Sequence, residues 1–251
     1  MSRVGVVIVA AGAGTRLRAE LPKALVEVAG RPLVGYAVSA ALRARDVGWV
    51  VVAAPPTHVG QVRTAVEASC RAAGVALTVV PGGAHRGDSV LAALRELPEQ
   101  AEVVLVHDAA RALAPVELFD RVAAAVDADH PAVVPGLPVI DTIKAVDADG
   151  RVLATPDRDA LRIIQTPQGF LREVLLAAHA EHGSLASDDA GLVERLGRPA
   201  YVVRGDPRAL KVTTAPDLGQ LERWVGTAAA PGESGATRLT GVPPAERRRP
   251  E

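Results

Sequence analysis

Val4-Gly5-Val6-Val7-Ile8-Val9-Ala10-Ala11-Gly12-Ala13-Gly14-Thr15-Arg16-Leu17 joins an apolar run to a loop of glycines and arginines. Its apolar run, Val4–Ala10, is short and passes directly into glycines and arginines. That pattern fits a strand buried on both faces better than the apolar region of a signal peptide. The same rhythm repeats downstream. Strands are expected at Val47–Ala53, Val75–Val80, Val103–His107 and Ala132–Pro135. Helices are expected across Pro32–Arg45, Val59–Ala73, about Asp88–Leu97 and Val116–Ala128. Alternating strands and helices imply an α/β fold, a Rossmann-like doubly wound and mostly parallel sheet with helices on both faces.

The rhythm breaks after Gly136. Val139–Val146, Asp147-Ala148-Asp149-Gly150 and Arg151–Ala154 read as a β-hairpin turning on a glycine, an arm over about 137–158. A hairpin that projects from such a domain leaves unpaired edges, so it is expected to dock, most simply on a second copy of the chain. Helix and strand resume from Phe170 to Val203, and a last helix is expected over about Ala215–Val225. Thr227–Glu251 is rich in Ala, Pro, Gly, Ser and Arg without periodicity. It reads as a disordered tail behind a single domain over 1–226.

Composition narrows the function. The net charge is −1, which gives no electrostatic case for nucleic acid or a membrane surface. No stretch approaches the roughly 20 apolar residues of a membrane span. The only cysteine, Cys70, sits in a helical apolar pattern as a small core residue, which suits a reducing cytoplasm. Of 28 basic residues only Lys23, Lys144 and Lys211 are lysines, which suggests sites where a compact ammonium is wanted. The six histidines form no metal-spaced cluster.

The loop after the first strand lies where open α/β sheets bind ligands. Its glycines let backbone N–H groups approach a phosphate chain. A dinucleotide fingerprint fails, because Leu17 stands where a third glycine is needed and Ala53-Ala54-Pro55 carries no acid. A P-loop fails because no Gly-Lys-Ser or Gly-Lys-Thr occurs. What remains is Gly14-x-Arg16 with Pro22-Lys23 seven residues on, two cations on one Gly-led loop that suit a triphosphate. A generic Gly-rich turn with surface charges is the competing reading.

Here the residues match a known family. Ala10-Ala11-Gly12-x-Gly14-x-Arg16 with Pro22-Lys23 resembles the signature of the sugar-type nucleotidyltransferases. Five further motifs follow in the family's order: Gly82-Gly83-x-x-Arg86-x-x-Ser89-Val90, His107-Asp108-Ala109-Ala110-Arg111, Asp141-Thr142-Ile143-Lys144, Thr166-Pro167-Gln168 and Leu210-Lys211-Val212-Thr213. Together, over about Val4 to Val225, they resemble the 2-C-methyl-D-erythritol 4-phosphate cytidylyltransferases.

The resemblance implies cytidylyl transfer from CTP to a sugar-alcohol phosphate with Mg²⁺. It also implies a homodimer whose arm reaches the partner's active site. Arg16 and Lys23 would stabilise charge on the α-phosphate and the leaving pyrophosphate. Asp108 would hold the metal, unless it is only a helix cap. Ala10, Ala11, Gly12, Gly14, Gly83, Arg86 and Ser89 would form the nucleotide pocket. Ser89 is equally a helix-start residue, and Arg86 is open to a structural ion pair. Arg111, Thr142, Arg158, Ser187 and Lys211 would position the acceptor, each with an ordinary surface or strand role as its alternative. An acceptor phosphate is already anionic near neutral pH, so the chemistry needs no general base, and none stands out.

Three places depart from the family's pattern: Ser187-Asp188-Asp189 for Thr-Asp-Glu, Arg208-Ala209-Leu210-Lys211 for Asn-Ile-Lys, and Ala84 where a polar residue is common. These touch acceptor contacts, so a ribitol 5-phosphate cytidylyltransferase is the nearest alternative. A molybdopterin-type guanylyltransferase fits the Gly83–Ser89 segment less well. A catalytically silent nucleotide-binding regulator would not need Arg16, Lys23 and Asp108 together. The segment after Val225 is too short for a fused second enzyme, so a single function is expected.

Overall fold

The computed structural model describes residues 3–12, 17, 21–183 and 188–229. In chain order its strands are β1 (Val4–Val9), β2 (Glu27–Val28), β3 (Arg31–Pro32), β4 (Val47–Ala54), β5 (Ala76–Pro81), β6 (Val103–Asp108) and β7 (Ala132–Pro138). There follow β8 (Ala145–Val146), β9 (Val152–Ala154), β10 (Arg162–Ile164), β11 (Gln168–Leu171) and β12 (Ala200–Arg204). The helices are α1 (Leu33–Arg43), α2 (Val59–Ala73), α3 (Arg86–Leu94), α4 (Val116–Ala125), α5 (Arg172–His182), α6 (Asp189–Arg195) and α7 (Ala215–Ala229).

β1 lies at the centre of the main sheet, parallel to β4 on one side and β6 on the other, with β5 parallel beyond β4. Period-2 alternation then sorts side chains onto two cores. Val4, Val6 and Ile8 face one cluster with Val34 and Val38 of α1, Val62 and Val66 of α2, and Phe119 of α4. Val7, Val51 and Val104 face the other, with Val90 and Leu94 of α3, Leu175 of α5 and Val193 of α6. Both faces are therefore covered, as near-continuous apolar strands require. Cys70 is buried in the first cluster as a small apolar residue.

Beyond β6 the sheet becomes mixed. β11 runs antiparallel to both β6 and β7, β10 is antiparallel to β7, and β12 is parallel to β7. The parallel core matches the expected fold class. Pure alternation of strand and helix did not reveal the antiparallel pieces, because β10 and β11 are short and carry polar residues such as Gln168. A third, smaller cluster of Val28, Leu33, Ala112, Val212 and Leu221 docks α7.

Several boundaries move. α3 starts at Arg86 rather than Asp88, and α4 stops at Ala125. The Asp88 carboxylate accepts from the backbone N–H of His85 and ties down the first turn of α3. α7 runs to Ala229, four residues past the expected end. The tail expected from residue 227 therefore begins inside α7, and residues 230–251 lie outside the described part. The arm differs most. Only Ala145–Val146 and Val152–Ala154 pair as strands, around a turn that Asp147 ties by accepting from Asp149 and Arg151 N–H groups. Val139–Lys144 makes no ladder, since β7 ends at Pro138 and this stretch has no facing strand among the described residues.

Candidate active site

The carboxyl ends of β1, β4, β5 and β6 converge, and their loops are stitched together. Ala10 N–H donates to Ala53 O (2.8 Å), Gly82 N–H to Ala54 O (2.7 Å) and Ala109 N–H to Val9 O (3.0 Å). In the β1–β6 register Val9 faces Asp108, so the first loop and the His107-Asp108 motif meet at one place. A pocket of about 310 Å³ opens there, lined by Ala10, Ala11, Gly12, Lys23, Gly83, Arg86, Ser89, Asp108 and Lys211 among others.

Small residues make this possible. A side chain on Gly82 would strike Ala11 and Ser89, and one on Gly83 would strike Asp88. Ser89 is buried, its hydroxyl accepting from Gly83 N–H (3.1 Å) and donating to His85 O (3.1 Å). Ser89 thus holds the glycine loop in shape as well as lining the pocket, and it is not the residue that starts the helix.

Cations surround one carboxylate. Asp108, 6% exposed, ends β6. Its Oδ2 is 2.7 Å from Lys211 Nζ and its Oδ1 is 3.3 Å from Arg86 Nε. Its backbone N–H donates to Thr166 Oγ1 (3.0 Å). Burial alone would raise the Asp108 carboxyl, but Arg86, Lys211 and Arg111 outweigh it and hold it well below the usual carboxylate range. Asp108 is an ion-pair hub and not a helix cap, since the next helix, α4, starts only at Val116.

Arg86 also donates Nη1 to Asp189 Oδ2 at 2.6 Å, and Asp189, 1% exposed, pairs with His179 Nε2 at 3.0 Å. Burial works against the charge on Arg86, yet Asp189 and Asp108 raise its pKa above the ordinary guanidinium value. Arg86 thus makes the structural ion pairs of one reading, and it also lines the pocket.

Lys23 heads a short 3-10 turn set by Pro22, and its Nζ donates to Val212 O at 3.0 Å beside Lys211. Arg111 spans two loops, donating to Ala209 O (2.7 Å) and Ile164 O (3.3 Å). Its buried Nε has no partner among the described residues. His107 is fully buried with its ring 4.8 Å from Phe119, and burial lowers its pKa to about 4. A neutral imidazole there packs the strand end.

A second pocket of about 170 Å³ adjoins the first and shares Arg86, Asp108 and Lys211 with it. Its other walls are Ile164 and the polar Arg111, Gln165, Thr166, Gln168 and Asp188. Two anion-sized spaces thus meet at one ion-pair hub, an arrangement suited to bringing two phosphate groups together.

Lys23, Arg86, Ser89, Asp108, Arg111 and Lys211 are brought together, along with Ala10, Ala11, Gly12 and Gly83. Thr142 and Arg158 are not. Both are exposed on the arm and line neither pocket, and Arg158 donates to Ile140 O at 2.7 Å. Gly14, Arg16 and Ser187 lie outside the described residues. Thr166, Gln168, Asp188 and Asp189 were missed as site residues. Their signal was polarity in places that strand and helix packing would otherwise fill, seen only once Gln168 Nε2 donates to Asp188 (2.7 Å) and Asp189 pairs with Arg86.

Residues 4–226 match the family model described as 2-C-methyl-D-erythritol 4-phosphate cytidylyltransferase. A protein of that name from Frankia casuarinae is 51% identical over 216 residues, covering 86% of this chain and 79% of its own. One from Saccharopolyspora erythraea is 52% identical over 216 residues, covering 85% of this chain and 95% of its own. The crystal structure of the Thermus thermophilus protein of the same name superposes with a TM-score of 0.70 at 35% identity, over 90% of this chain and 100% of that one.

Proposed function

Because this chain belongs to the 2-C-methyl-D-erythritol 4-phosphate cytidylyltransferase family, we propose how its two adjoining pockets carry out cytidylyl transfer. The enzyme transfers CMP from CTP to 2-C-methyl-D-erythritol 4-phosphate, giving 4-diphosphocytidyl-2-C-methyl-D-erythritol and pyrophosphate for isoprenoid precursors. The observation that carries the mechanism is the sharing of Arg86, Asp108 and Lys211 by the two pockets. CTP occupies the larger one, with its phosphates against the Ala10–Gly14 loop and Lys23. The acceptor phosphate occupies the smaller, polar one, against Arg111 and Lys211.

An acceptor phosphate oxygen attacks the α-phosphorus, the bond to the β-phosphate oxygen breaks, and pyrophosphate leaves. The nucleophile is already charged, so the protein's task is positioning and charge stabilisation. Lys23 and Arg16 neutralise charge on the α-phosphate and leaving group. Lys211 and Arg111 hold the acceptor. Asp189 keeps Arg86 in place, and Ser187 is assigned to the acceptor on the family resemblance alone.

Mg²⁺ is part of this proposal. Among the described residues no cluster of three or more His, Cys, Asp or Glu stands ready for a metal. Asp108 is the carboxylate lining the nucleotide pocket, and its oxygens keep lone pairs beyond those used by Arg86 and Lys211. That donor set fits a hard ion carried mainly by nucleotide phosphates and water, and not an all-protein cage. Such an ion would neutralise triphosphate charge.

A homodimer completes the reading. Ile140 is 81% and Leu153 64% exposed on the arm, apolar surface that a second copy would cover. The partner's arm would then bring Thr142 and Arg158 to the acceptor. Among the described residues no helix is long and apolar enough to cross a membrane, and a cytoplasmic setting suits the lone buried thiol. We take residues 1–226 as the catalytic unit.

The test is pyrophosphate release from CTP with either methylerythritol phosphate or ribitol 5-phosphate as acceptor. Release with methylerythritol phosphate alone supports the reading. Preference for ribitol 5-phosphate moves the acceptor, and no release with either from folded protein sinks the mechanism.

A further inference from the structure

A pocket larger than the nucleotide pocket plays no part in the chemistry above. It measures about 420 Å³, against about 310 Å³ for the nucleotide pocket, and lies among α1, the Ala112–Pro115 segment and the end of α7. That volume is within the range of small-molecule sites, roughly 300–1,000 Å³.

Its lining has a definite chemistry. Tyr36 and Trp224 supply aromatic faces, with Leu113 and Val225 beside them, and Arg31, Arg43 and Arg208 supply three guanidinium groups. Among the described residues no carboxylate lines it. The arginines are not equivalent. Arg208 is held by Asp206 (3.4 Å) and, more distantly, by Glu117 (3.9 Å). Arg31 donates to Gly35 O (2.6 Å) and lies over the Tyr36 ring at 4.8 Å from its centroid. Arg43, exposed on the last turn of α1, makes no side-chain hydrogen bond or ion pair with the described residues.

We infer that this pocket binds a small aromatic anion, its ring against Trp224 and Tyr36 and its phosphate or carboxylate on Arg43 and Arg31. A flat apolar body answers the aromatic walls, and an anion answers cations that no lining acid neutralises. An uncharged aromatic would leave the guanidinium groups unused, and a bare anion would leave the rings wet. Neither half alone should bind well.

The probe is 1-naphthyl phosphate, titrated by calorimetry into the full chain with the nucleotide pocket saturated by CTP. Saturable binding is expected. Arg43→Glu should weaken it by about tenfold or more, the loss of one charge-assisted contact. Inorganic phosphate and 1-naphthol should each bind at least about tenfold more weakly than the joined molecule. Arg43 is exposed and makes no bond that its replacement would break, so the variant should fold, and unchanged CTP binding checks this. Trp224→Leu gives a second variant acting through the aromatic wall. The inference is overturned by no heat in the presence of CTP, by equal affinity in Arg43→Glu and Trp224→Leu, or by binding that appears only when CTP is absent.

Discussion

Lys211 Nζ stands 2.7 Å from Asp108 Oδ2, joining the loop before α7 to the end of β6. The same carboxylate meets Arg86 from α3 through its other oxygen. One acidic side chain thereby sets the spacing of two cations that belong to different elements and line both pockets.

Replacing that carboxylate should therefore cost activity on both substrates. Asp108→Asn keeps the shape but removes the anion paired with Lys211 and one of the two paired with Arg86. The expected result is a fall in kcat of about a hundredfold, the scale of losing one preorganised charge contact. Steady-state kinetics against each substrate check it. A loss confined to the KM of one substrate would contradict the shared-hub account.

Lys23 lines the nucleotide pocket but not the smaller one. Lys23→Ala is expected to lower kcat by about 10² to 10³-fold with little change in acceptor KM. Initial rates with the acceptor varied at saturating CTP give the answer.

Asp189 is almost fully buried behind Arg86, 2.6 Å away. Asp189→Asn removes the charge that holds the guanidinium and is expected to destabilise the fold by about 3 kcal/mol. Acid sensitivity should change with it. Burial would raise the Asp189 carboxyl, but His179 and Arg86 hold it below the ordinary carboxylate value. A group depressed in the folded state stabilises fully above its unfolded value of about 3.9 and loses that contribution as pH falls below it. Thermal unfolding between pH 6 and pH 3 should therefore be less acid-sensitive in Asp189→Asn than in the unaltered chain.

Arg158 and Thr142 lie on the arm, away from both pockets of their own chain. If a partner's arm completes the site, two inactive variants should complement each other. Lys23→Ala spoils the core of one chain and Arg158→Ala spoils the arm of the other. An equimolar, re-equilibrated mixture should recover about a quarter of full activity, because half the dimers are mixed and each holds one intact site. No recovery would place Arg158 in its own chain's chemistry.

Much of this was legible in the sequence because local signals agreed with the final packing. Val4–Val9 is apolar at every position apart from Gly5, and the structure buries both of its faces, which needs no knowledge of distant residues. Lys23 stood out as a cation close behind the Gly-led first loop, whereas the Gly82-Gly83 loop was legible only through the family resemblance. The hidden parts depend on long-range partners. Nothing near Asp189 in sequence points to Arg86, 103 residues away. Thr166 belongs to a motif of the family resemblance, but its bond from Asp108 N–H, across 58 positions, is not legible there. The arm was overread for a similar reason. Val139–Lys144 has strand-like composition, but a strand needs a neighbour, and residue composition does not supply one.

The path of the oxygen atoms tests the transfer step itself. Methylerythritol phosphate labelled with ¹⁸O on its phosphate, incubated with CTP, should give a product with label bridging the two phosphorus atoms and unlabelled pyrophosphate. ³¹P spectroscopy reads both, because ¹⁸O shifts the resonance of the phosphorus that bears it. Label in the bridge is the predicted result, since the acceptor oxygen attacks the α-phosphorus. A bridge without label, or label in the pyrophosphate, would mean that the bond forms elsewhere and would contradict the account.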